Sequence, residues 1–87
     1  MPQPMMESKK EVGRVAHFFP KISVAIIELK APLAVGDKIT IAGATTRLEQ
    51  VVQSMEVEHK AIKSARSGQS IGLKVVGKVR ESDIVYK

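Results

Sequence analysis

The sequence predicts an all-β fold, a closed six- or seven-stranded antiparallel β-barrel with Greek-key-like connections. Three observations carry that expectation. Short segments rich in Val, Ile and Leu alternate with polar residues at a period of two. Gly, Pro, Asp and Ser punctuate them at regular intervals, as in sandwiches and barrels. Aromatic content is only 3%, so the core must rest on aliphatic side chains. Closure suits so short a chain because it leaves few exposed strand edges.

Residues 1–10 (MPQPMMESKK) hold two prolines and no periodicity, which predicts a disordered tail. Residues 11–87 then form a single barrel domain. Val12, Arg14 and Ala16 alternate with Gly13, Val15 and His17 until Phe18-Phe19-Pro20-Lys21 ends the first strand. Residues 22–29 are β-branched. Val24, Ile26 and Glu28 share one face there, and Ala25, Ile27 and Leu29 share the other. Gly36-Asp37 turns into Lys38-Ile39-Thr40-Ile41, and Gly43-Ala44-Thr45-Thr46 forms the next turn. Residues 48–59 read as one long half-buried strand with Val51, Gln53, Met55 and Val57 on its inner face. Residues 71–77 and 84–86 are closing strands. Residues 59–66 interrupt the pattern. Lys60, Lys63 and Arg66 are three apart, which fits either a single helical turn or an extended loop. The expected core is Val15, Ile26, Ile39, Ile41, Val51, Met55, Leu73, Val75 and Val85.

A chain of 87 residues makes one small domain that buries about 60% of its unfolded surface. The absence of cysteine excludes disulfides, thiolate zinc sites and thiol catalysis. No apolar run approaches the roughly 20 residues of a membrane span, and no signal pattern opens the chain, so a cytoplasmic protein is expected. The net charge of +5 and pI near 9.8 suit either a phosphate-rich partner or a solubilising lysine surplus. The lack of Asn and Trp, with abundant Lys and Glu, is a thermophile tendency.

The residues argue against catalysis. His17 and His59 are remote from each other and from any nucleophile motif. Asp37 and Asp83 precede strands, where Asp serves turn hydrogen bonding. Glu56 and Glu58 share a polar strand face that reads as solvated. The glycines are scattered and no Gly-Lys-Ser/Thr triplet occurs, so the chain alone is expected to bind no nucleotide. No metal or cofactor is expected. The cations are better placed. His59, Lys60, Lys63 and Arg66 cluster between strands, while Arg14, Lys74, Lys78 and Arg80 lie in the first and last strands. Clustered cations on a rigid scaffold suit phosphate contact, and they equally suit a solvated face.

Four motifs in order over residues 12–87 carry a family resemblance. They are Val12-Gly13-Arg14-Val15, Leu33-Ala34-Val35-Gly36-Asp37-Lys38-Ile39, Gln53-Ser54-Met55-Glu56 followed by Ala65-Arg66-Ser67-Gly68-Gln69-Ser70-Ile71-Gly72-Leu73, and Arg80-Glu81-Ser82-Asp83-Ile84-Val85. Together they resemble the second, β-barrel domain of translation GTPases such as elongation factor Tu. In the last motif Ser82 replaces the usual glycine, so that turn is expected to differ. A similar domain ends collagenase-like peptidases and related RNA-modification proteins. The resemblance implies a stand-alone translation-linked barrel, with tRNA, rRNA or the ribosome as partner. His59, Lys60, Lys63, Arg66, Arg14 and Arg80 are the expected RNA contacts. The alternative is a protein-interaction module docking onto a separately encoded GTPase or RNA-modifying enzyme.

Overall fold

A computed structural model describes residues 10–87, and among them it contains strands and turns but no helix. The strands are β1 (Glu11–Phe19), β2 (Val24–Leu29), β3 (Leu33–Ala34), β4 (Lys38–Ala42), β5 (Arg47–Val51), β6 (Met55–Val57), β7 (Lys60–Ile62), β8 (Ser64–Ala65), β9 (Ser70–Lys74) and β10 (Ile84–Tyr86). Eight form one antiparallel sheet in the order β5-β4-β10-β1-β2-β9-β6-β7, and β3 pairs with β8 separately. The expected tail lies outside the described residues except for Lys10. Its backbone exchanges two hydrogen bonds with Lys87, at 3.1 and 2.9 Å.

The all-β expectation holds, but the closed six- or seven-stranded barrel does not. The sheet curls into a half-barrel whose end strands, β5 and β7, never pair with each other. Curl comes from β1, where register shifts between Glu11 and Gly13 and again between Val15 and His17. Such bulges add an unpaired residue and sharpen the local twist. At the seam, one side chain stands in for a ladder. Gln50 on β5 donates from Nε2 to the Lys74 carbonyl and accepts from the Val76 amide at Oε1, both at 2.9 Å. The mini-sheet of β3 and β8 ties the same two flanks together farther along.

Three turns share one hydrogen-bond pattern, and each launches a strand. In residues 34–37 the Asp37 amide donates to the Ala34 carbonyl (3.1 Å) and the Ala34 amide donates to Asp37 Oδ2 (2.9 Å). Residues 66–69 repeat this with the Gln69 side chain, and residues 80–83 with Asp83. The third residue of each has positive φ: Gly36 at 98°, Gly68 at 91° and Ser82 at 75°. That is the type II signature. The same residue's amide donates 2.8 Å to a facing carbonyl, of Val52, Leu29 and Val15 respectively. Those three then donate back to Asp37, Gln69 and Asp83. Two residues thus face one, a bulge with its first residue in the left-handed region. The facing Val52, Leu29 and Val15 are all buried, so each turn is pinned to the core.

The core is aliphatic, as expected: Ile27, Leu33, Ile39, Ile41, Met55, Ile71, Leu73, Val15, Val52 and Val85 are its largest fully buried side chains. Two expected core positions are wrong. Val51 is 48% exposed, and Val52 is buried instead. The supposed long strand over 48–59 breaks at residues 52–54, which shifts the alternation by one between β5 and β6. Ile26 is only half-buried, because Ala25, Ile27 and Leu29 take the inner face of β2. Residues 59–66 form strand, bend and strand rather than a helical turn, so the three-residue cation spacing gathers nothing onto one helical side.

Candidate functional site

The carboxylates set aside for turn duty do that duty. Asp37 accepts from the Ala34 amide and pairs with Lys87 Nζ at 2.9 Å. The Lys87 hydrogen bond, helped by the Ala34 amide, holds the Asp37 carboxyl below its ordinary range. Asp83 is buried and accepts from the Arg80 amide at 2.8 Å. It also explains Gly43, where any added Cβ would collide with the Asp83 carboxylate. Glu56 lies exposed on β6, and Glu58 is exposed at the hairpin tip.

The six expected cations do not converge. Arg14 on β1 donates to Glu28 on β2 at 3.0 Å. Arg80 sits in the turn before β10, beside β1. His59 and Lys60 lie at the tip of the β6–β7 hairpin, where Glu58 and His59 both have positive φ, at 52° and 68°. Lys63 follows β7, and Arg66 opens the turn before β9. Four ladder steps separate β1 from β7. At about 4.8 Å per step that is roughly 19 Å along the sheet.

Two features escaped the sequence reading. His17 Nδ1 lies 2.9 Å from Glu81 Oε2, with the ring edge-on to Phe19 at 4.5 Å. These partners are 64 residues apart, so no local motif announces them. A shallow groove of about 260 Å³ runs between Glu11, Gly13, Arg14, Glu28, Leu29 and Lys30. Its charges are already spent in the Arg14–Glu28 and Glu11–Lys30 ion pairs, the latter at 3.6 Å. Among the described residues no three His, Cys, Asp or Glu gather as a metal would require. No helix there is long and apolar enough to cross a membrane.

What stands out is the outer face of β1, β2 and β9. The inner residues of β2 fill the core, yet Val24 and Ile26 make its outer side apolar too, and Ile22 stands in the turn just before it. A strand apolar on both faces is normally covered on both. Ile22 is 58% exposed and Val76, just past β9, is 63% exposed.

Comparisons with known proteins point to peptidases. No family model matches the chain. It is 48% identical over 79 residues to an uncharacterized protease of Methanocaldococcus jannaschii, a match covering 90% of this chain and 19% of that protein. A collagenase of Porphyromonas gingivalis is 36% identical over 81 residues, covering 91% and 22%. The homologues are proteases and collagenases. The chain spans about a fifth of the length of these curated relatives. In structure it is similar to the C-terminal domain of a protein described as a U32 peptidase from Geobacillus thermoleovorans. The TM-score is 0.85 at 20% identity, covering 90% of this chain and 99% of that domain, which shows the fold.

These relatives overturn the translation-linked reading. The collagenase-like side of the resemblance is the one that finds homologues, and kinship to elongation factor Tu is not shown. Binding to tRNA, rRNA or the ribosome is not shown. The relatives' names say nothing of RNA contact by His59, Lys60, Lys63, Arg66, Arg14 and Arg80, of which Arg14 and Arg80 lie at β1 and the other four around β7 and β8. The relatives' names leave open the alternative of docking onto a separately encoded GTPase or RNA-modifying enzyme.

Proposed function

We propose that the chain is a non-catalytic accessory domain of a U32-type peptidase, supplying protein contact rather than hydrolysis. The observation that carries this reading is the 48% match to a protease within which the matched segment is only 19% of the length. The described residues support it by what they offer chemically. The one His–carboxylate pair, His17 with Glu81, is exposed on both sides. The Phe19 ring lies edge-on to His17, whereas hydrolysis needs a positioned nucleophile or metal beside such a pair. The rigid, turn-pinned sheet and its apolar outer face suit docking.

The test uses the Methanocaldococcus relative with its matching segment deleted. The deleted protein is expected to lose peptidase activity or stability, and adding this chain restores at least part of either. The chain alone is expected to cleave neither gelatin nor casein. Cleavage by the purified chain, or a deletion without any effect, would overturn the proposal.

A further inference from the structure

The outer face of β1, β2 and β9 has the composition of an interface rather than of a solvated surface. Phe19 on β1 pairs with Val24 on β2, and Val24 pairs with Lys74 on β9. Val24 Cγ1 and Ile26 Cδ1 reach within 3.5 and 3.8 Å of where a Gly72 side chain would start. Gly72 therefore leaves a flat floor that these two side chains overhang. The Val75 amide donates to the Ser23 carbonyl at 2.8 Å. Ile22 and Val76 stand one residue beyond that bond, in the turn before β2 and in the bend after β9. Phe19, Ile22 and Val76 are all more than 40% exposed, with Val24 and Ile26 half-buried between them. Charged groups of both signs rim the patch: His17 with Glu81 beside Phe19, Lys74 beside Val24, and Glu56 opposite Gly72.

We infer that this patch docks onto the body of the peptidase, the part of the relatives that lies outside the segment matching this chain. The inference rests on the accessory-domain reading and names its surface. The larger part of each relative lies outside the match, so a second body of ample size exists there. Five side chains make an apolar patch on the order of a few hundred Å². That is small beside the roughly 800 Å² per partner of a free-standing complex. It suits bodies held near each other, whose effective concentration is already high. The mixed-sign rim fits a contact that is read by shape and barely depends on salt.

The experiment replaces the matching segment of the Methanocaldococcus relative with this chain and follows thermal unfolding. The docked chimera is expected to melt in one transition. Ile22→Lys with Val76→Lys is expected to split it into two, because both positions are exposed and the free chain carrying them melts within a few degrees of wild type. Val35→Lys, an exposed apolar site elsewhere (40% exposed), leaves the single transition intact. Two transitions already in the unmutated chimera would sink the accessory-domain reading. One transition that survives the double substitution would sink the surface assignment alone. A dimer of the free chain that the double substitution dissolves would give the patch to a second copy and overturn the inference.

Discussion

The turns at residues 34–37 and 80–83 make the same hydrogen bonds from different residues. Gly36 and Ser82 occupy the same left-handed position, at 98° and 75°. Glycine visits that region freely, whereas a residue with a Cβ there costs on the order of 1–2 kcal/mol. The sequence reading expected the second turn to differ because its glycine is missing. It does not differ. Ser82 is held from three directions: its amide donates to Val15, Asp83 bonds the Arg80 amide, and the Val15 amide donates to Asp83. The teaching is that a buried carboxylate and a facing core strand can impose a backbone angle that local preference resists. In the first turn preference and context agree.

The comparison breaks most completely at Asp83. Asp83→Ala leaves the Arg80 amide without its acceptor, and urea unfolding is expected to show a loss of about 2–3 kcal/mol. The half-exposed Asp37 gives a smaller loss in the matching Asp37→Ala. Gly36→Ala comes next. Nothing lies within 4 Å of the added Cβ, so the substitution isolates backbone strain. A loss of about 1 kcal/mol is expected. Ser82→Gly runs the other way. Relief of strain outweighs the added freedom of the unfolded chain, and a gain of about 0.5 kcal/mol is expected. A loss there would mean that Ser82 is not strained at all. The smallest effect is a pH dependence. Asp37 is held below its unfolded pKa by Lys87, so its contribution is present above about pH 4. It is lost as pH falls through the lower folded value. The stability gap between wild type and Asp37→Asn should therefore narrow in acid, and a gap that widens would refute the pairing.

Much of the fold was legible because periodicity and turn residues are local signals. The strands around Val15, Ile39, Leu73 and Val85 follow directly from alternation, and so do the Asp37 and Asp83 turns. What stayed hidden depends on contacts distant in sequence. The one-residue phase change between Val51 and Val52 comes from Val52 being drawn inward by its bonds to Gly36 and Asp37. Closure was overestimated because the seam is bridged by the Gln50 side chain, which alternation treats as just another polar residue. Of the site, the apolar outer face was visible in Val24 and Ile26 of β2 and in Ile22 just before it, which were read as strand and not as surplus. The cations were counted along the chain, and the sheet order sets Arg14 and Arg80 on β1 and its neighbouring turn apart from the four around β7 and β8.

The Gln50 clasp has a chemical consequence. Its amide serves one donor and one acceptor on the backbone of residues 74 and 76, and only one orientation of nitrogen and oxygen satisfies both. A Gln50→Glu substitution, which exchanges a single NH₂ for an oxygen, would turn the clasp's donor into a second acceptor aimed at the Lys74 carbonyl. The orientation of one amide therefore bridges the open seam, and reversing it would loosen that bridge while leaving every strand in place.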